Sequence, residues 1–199
     1  MQKHLIVFGA VLIATLGLAH PADAVVNTIS PVMTDPVTGY KYQLLSQADW
    51  TDSEAAAVAL GGQLPTIANQ EQQNFVFNSF GAYGGTQRIL WTGLYAPTQD
   101  SQGGHANNFV WVSGAPITYT DWDAGEPNNA GGEYWVAMYY PNFNTPGSWN
   151  DWSNRTADPV GIQFDGVVQF APVPEPASAL LAGPLLMLGL KRRSRASAR

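Results

Sequence analysis

Two helix signals crowded into the first half of the chain, with only strand and loop signals after them, limit the fold more than any other feature of this sequence. Thr51-Asp52-Ser53-Glu54 has capping-box spacing, in which a hydroxyl and a carboxylate satisfy the first free N–H groups of a helix. The stretch behind it runs through Leu60 into Gly61-Gly62, where glycine ends a helix at no steric cost. Asn69 is a second cap, with Glu71 in the first turn and Phe75, Val76 and Phe80 to be buried before Gly81. Tyr40–Leu45 precedes them as a strand. Ile89–Leu94, Phe109–Val112, Tyr134–Tyr139, and Val160–Phe164 with Val167–Phe170 are apolar runs of strand length. Helices first and strands later describe an α+β domain. Its long connections, Tyr95–Asn108 and Ala115–Glu133, exceed what a linker needs and are expected to be functional.

Composition sharpens this reading. With 45% hydrophobic and 12% charged residues, the 199-residue chain is neither an acidic disordered tail nor a coiled coil. Seven Trp, 20 Gly and 14 Pro suit a loop-rich domain pinned by large aromatic side chains. The absence of Cys excludes disulfides, thiolate metal sites and cysteine nucleophiles. Between Val25 and Val173 stand 13 acids against three bases, a net charge of −10. Such a surface repels phosphate backbones, so no nucleic-acid partner is expected, and it suits cations or neutral ligands.

The basic residues lie mainly at the two ends. Residues 1–24 read as an export signal: Lys3, an apolar stretch from Leu5 to Leu18, and the small-x-small site Ala22-Asp23-Ala24. A short extension, 25–37, would then lead into a domain spanning 38–170. In the terminal segment 171–199, Pro174-Glu175-Pro176 precedes an apolar run, 177–190, and a basic tail, 191–199. That run is short for crossing a bilayer, which takes ~20 residues, but a basic stop would hold it at an inner membrane. The triplet, the run and the basic cluster together resemble the bacterial PEP C-terminal sorting signal. The resemblance implies handling by an exosortase, a bacterial source with an exopolysaccharide-linked export route, and a cell-envelope, surface or matrix destination with transient anchoring.

Three stretches concentrate oxygen donors: Gly125-Glu126-Pro127-Asn128-Asn129, Gly132-Glu133 and Trp149-Asn150-Asp151-Trp152. Each reads as turn-forming sequence. Calcium takes six to eight oxygens from carboxylates, amides and carbonyls, and Glu126, Asn128, Glu133, Asn150 and Asp151 offer five side-chain donors. A cis Glu126-Pro127 bond would turn the flanking side chains toward one point.

With Trp91-Thr92-Gly93-Leu94, the helix pair, and Trp149-Asn150-Asp151 in this order, the chain resembles the C-type lectin-like domain over most of Tyr40–Phe164. The resemblance implies a fold of two short helices and antiparallel strands with a long calcium-binding loop region. It implies a core strand carrying Trp91, Gly93 and Leu94, structural roles for Pro127 and Trp149, and a calcium ion as cofactor. It also implies that Glu126, Asn128, Glu133, Asn150 and Asp151 bind both metal and sugar. The Glu-Pro-Asn order resembles members that prefer equatorial hydroxyl pairs of mannose- or glucose-type sugars, bound weakly per site. Family cysteines would fall near Ala57, Trp135, Asn154 and the final strand, so packing of Trp135 is expected to replace a bridge. The loop Tyr139–Ser148, rich in Asn and Pro, is expected to depend on bound ion for its order.

Two competing readings stand beside this one. Asp121, Asp123, Glu126, Glu133 and Asp151 could include the acid and base of a glycan-cleaving enzyme. Nothing in the sequence pairs them, and His105 lies in a polar loop, so no catalysis is expected. The other alternative is an adhesion or structural protein of the same fold, with a purely structural calcium site. Oligomeric state is not legible.

Overall fold

The computed structural model describes residues 25–98 and 108–172. The export signal, nearly all of the terminal sorting segment and His105 lie outside the described residues. The strands are β1 (Met33–Thr34), β2 (Lys41–Gln47), β3 (Ile89–Tyr95), β4 (Val110–Trp111), β5 (Trp135–Met138), β6 (Trp149–Trp152) and β7 (Phe164–Phe170). Helices α1 (Trp50–Ala59) and α2 (Gln70–Phe80) fall between β2 and β3, as an α+β domain with its helices first requires. The sheet runs β1-β2-β7-β3-β5-β6, with β4 also on β3. Its pairs are antiparallel except β3 with β7, which is parallel. The two strands of that parallel pair are buried along nearly their whole length.

Local chemistry explains where the elements begin. The cap of α1 is Asp49, whose carboxylate accepts the Asp52 N–H at 2.9 Å, so the helix starts ahead of the expected Thr51 box. Glu54 has a different task. It accepts the N–H of buried Leu64 at 2.7 Å, a backbone donor that needs a partner. On α2 the expected cap is present: Asn69 accepts from the Gln72 N–H, and Gln72 accepts the Ala68 N–H in return. Phe75 is only half-buried against Tyr42, while Gln72 and Gln73 are buried instead.

Two other expectations are corrected. Val160–Phe164 and Val167–Phe170 are not separate runs, since Val160 is 75% exposed and one strand begins at Phe164. Asp165 can sit inside that strand because the Arg88 guanidinium bonds it at 2.6 Å. Gly166 is required there, since an added Cβ would lie 2.8 Å from Ser53 Cβ on α1. Trp149–Trp152, read as turn, is a fully buried strand paired residue for residue with β5.

The core supplies most of the stability through buried aromatic area. Trp91 stacks on Phe164 at 4.4 Å and donates its indole N–H to the Ala48 carbonyl. Gly93 approaches the backbone of Leu64 so closely that a Cβ would meet its carbonyl at 2.8 Å. Leu94 is fully buried. Without disulfides, Ala57 packs directly on Leu45 and Val168, and half-buried Trp135 lies 6.4 Å from Trp50. Asn154 adds a polar tie by accepting the Trp50 N–H at 2.8 Å.

Candidate functional site

Trp149 anchors the site from both sides. Its backbone N–H donates to Asp121 and its carbonyl accepts from Asp123, which fixes the segment leading to Glu126 against the start of β6. The Glu126–Pro127 bond is cis. Further along β6, fully buried Asp151 reaches the same loop: its carboxylate accepts the N–H groups of Asn128 at 3.1 Å and Asn129 at 2.8 Å. Glu133, also buried, accepts the Ala130 N–H at 3.0 Å. Asn128 donates its amide to Glu126 Oε1 at 2.8 Å. These bonds bring Glu126, Asn128, Glu133 and Asp151 into one cluster. Asn150 adjoins Asp151 on β6 and is buried, but no hydrogen bond links its side chain to the other four.

Two participants were not anticipated from sequence. Asn129 adopts φ 51°, donates to Asp151 and accepts the Glu133 N–H at 2.8 Å on its side chain. The adjacent asparagines were the available signal, because Asn tolerates the left-handed region and bonds nearby backbone. Gln73 has no such signal. It is buried on α2, accepts the Trp149 indole N–H at 2.9 Å and donates to the Gly147 carbonyl at 2.6 Å.

The loop after β5 is also better held than its composition implies. Tyr139 and Phe143 stack at 3.6 Å, and Tyr139 exchanges backbone hydrogen bonds with Gly147 and Ser148. Stacking and backbone hydrogen bonds thus hold both ends of the loop to each other.

The electrostatics are strained by design of the cluster. Burial, then the charge of Asp151, pushes both Glu126 and Glu133 up to about 7. Glu126 Oε2 and Asn150 Oδ1 are buried oxygens with no hydrogen-bond partner. Among the described residues, no three His, Cys, Asp or Glu side chains form a ready cation cluster. The donor set is instead mixed: three carboxylates, two amides, and two oxygens still lacking a donor or cation. That chemistry fits a hard cation.

The topology and the oxygen-rich loop cluster braced by an aromatic core together define a loop-rich α+β module. Residues 46–160 match the lectin C-type domain, and the chain belongs to that family. It is 32% identical to the low affinity immunoglobulin epsilon Fc receptor of Mus musculus over 103 residues, covering 51% of this chain and 26% of the receptor. The chain thus spans about a quarter of that relative's length. Among solved structures, the cow carbohydrate-recognition domain of CD23, determined in the presence of a GlcNAc2Man3 oligosaccharide, superposes with TM-score 0.53 at 25% identity, covering 74% of this chain and 99% of that one. A calcium-independent type II antifreeze protein shares the fold with TM-score 0.52 at 19% identity, covering 72% and 98%.

Proposed function

We propose that this protein binds carbohydrate through calcium at the Glu126–Asp151 cluster. The observation that carries the reading is the pair of buried, unpartnered oxygens, Glu126 Oε2 and Asn150 Oδ1, beside carboxylates already raised by burial and then by the charge of Asp151. Glu126, Asn128, Glu133, Asn150 and Asp151 would hold the ion, which when bound supplies coordination positions for two neighbouring sugar hydroxyls. Glu126 and Glu133 accept hydrogen bonds from those hydroxyls, and Asn128 and Asn150 donate to them. This Glu-then-Asn polarity favours equatorial pairs of mannose or glucose type. The relative solved with a mannose-containing oligosaccharide supports the reading. The calcium-independent neighbour shows why the metal must be argued from these residues rather than from the fold. Binding per site is weak, ~mM, and clustering supplies avidity.

The terminal segments belong to the same proposal: export through residues 1–24 and sorting through Pro174-Glu175-Pro176 with its apolar run and basic tail, toward the cell surface or matrix. Mass spectrometry of both termini of the protein recovered from its host tests this, and an intact surface form running from Met1 through Arg199 would overturn it.

A glycan array probed with the full chain, in calcium and in chelator, tests the binding. Mannose- or glucose-type signal is expected only with calcium. The double variant Glu126→Gln with Asn128→Asp keeps side-chain size and total charge while reversing the hydrogen-bond polarity. It should retain calcium and lose that signal, since each mismatched bond costs ~1.5–3 kcal/mol. Unchanged sugar binding in the double variant, or equal binding in chelator, would sink the mechanism.

A further inference from the structure

We propose that Gln73 is a positioning residue for the calcium site, acting through Trp149 from helix α2. The inference rests on the calcium reading above. Trp149 is the only residue of β6 whose backbone joins both arms of the site: it bonds Asp121 and Asp123 ahead of Glu126, and it begins the strand that carries Asn150 and Asp151. Its ring is enclosed edge-on by Trp111, Tyr119 and Trp122, all 5.7–6.0 Å away, so packing confines the plane. Ring contacts alone do not fix how far the indole slides along its own plane. A hydrogen bond at its polar edge does, and Gln73 Oε1 supplies it at 2.9 Å.

The other half of the same amide fixes the approach to β6. Gln73 Nε2 donates to the Gly147 carbonyl at 2.6 Å, two residues before Trp149. Gly147 has φ 82°, and a Cβ there would come within 3.3–3.4 Å of Phe77 and of Gln73 Nε2 itself. The chain therefore passes α2 at a distance set by a glycine and closed by an amide. Gln73 is 3% exposed, so neither bond competes with bulk water. One buried side chain spans α2, the loop after β5 and the first residue of β6. A one-ångström shift of that residue would move Asn150 and Asp151 relative to Glu126, a displacement large for a site built from several short oxygen contacts.

Gln73→Met keeps length and apolar bulk while removing both hydrogen bonds, and Gln73→Glu keeps the acceptor for Trp149 but loses the donor to Gly147. Calcium affinity is read on the full chain by titration calorimetry. Exchange of the Trp149 indole proton is read by NMR in chelator, which reports positioning without any metal. The proposal expects faster indole exchange and calcium affinity weakened on the order of tenfold in Gln73→Met, with an intermediate loss in Gln73→Glu. If Gln73→Met does not fold, the smaller loss in Gln73→Glu with a protected indole carries the test. Calcium affinity unchanged in the folded variants, even with a lower melting temperature, overturns it. A wild-type chain that binds no calcium overturns both this inference and the reading beneath it, which separates the two failures.

Discussion

The half of the domain built on α1, β2, β3 and β7 and the half built on the loops around β5 and β6 are held together by different forces. In the first, Trp91 lies on Phe164, Leu44 and Val167 are fully buried, and the buried charges Asp165 and Arg88 are paired with each other. In the second, the segment 126–133 hangs on carboxylate and amide side chains that accept its backbone N–H groups: Asp151 for Asn128 and Asn129, Glu133 for Ala130, Asn129 for Glu133. Apolar burial is indifferent to ions, whereas a cluster of like charges is not. The difference predicts that one region sets the stability of the fold and the other sets its response to solution conditions.

The largest effect should come from breaking the apolar half. Trp91→Ala removes a fully buried indole and its bond to Ala48, and should cost ~3–5 kcal/mol in a denaturant titration. The loss should be the same in calcium and in chelator. A calcium-dependent difference would mean that the two halves are not energetically separate.

Calcium itself should rank next. At 100 times its dissociation constant it adds ~2.7 kcal/mol. Thermal melts in calcium and in chelator read this directly, and hydrogen exchange should place the added protection in residues 126–133 and β6 rather than in β2 or β7. Identical melting midpoints would remove the calcium reading. Asp151→Ala should then abolish that increment altogether. In chelator it loses two backbone hydrogen bonds to a carboxylate, ~1.5–3 kcal/mol each, yet also relieves the repulsion felt by Glu126 and Glu133. The measured loss should therefore be smaller than the hydrogen bonds alone imply.

The same division decides what the sequence disclosed. Local signals were legible: Asn69 caps α2, and Trp91 to Leu94 lies in a core strand, because both depend on neighbours a few residues away. Elements that depend on distant partners were not. Asn150 and Asp151 look like turn residues, and only pairing with β5 makes them strand. Asp165-Gly166 looks like a break until Arg88 and Ser53 are brought against it. The oxygen donors of the candidate cluster could be named from their residue types, but Gln73 could not, since a glutamine on a helix carries no mark of the tryptophan it will meet.

The smallest effect is the most diagnostic of the polar half, because its sign is opposite to the usual behaviour of a salt-bridged carboxylate. Glu126 and Glu133 are raised from 4.5 to about 7, by burial first and then by Asp151, with Glu126 acting on Glu133 and Arg155 partly offsetting that repulsion. A raised carboxylate binds its proton more tightly in the folded state than in the unfolded one. Its stabilising contribution is complete below pH 4.5 and is lost as pH rises through about 7. In chelator, the melting temperature should therefore fall between pH 5 and pH 8. Glu54, Asp121 and Asp165 are also raised by burial and contribute with the same sign, but they lie outside the cluster and should do so equally with and without calcium. Subtracting the two pH profiles isolates Glu126 and Glu133. Ion binding favours their charged forms, so the calcium profile should be flatter over this window, and the gap between the curves should widen toward pH 8. Parallel curves would show that these two carboxylates do not meet the ion, leaving the polar half as a structural loop with an unexplained pair of buried oxygens.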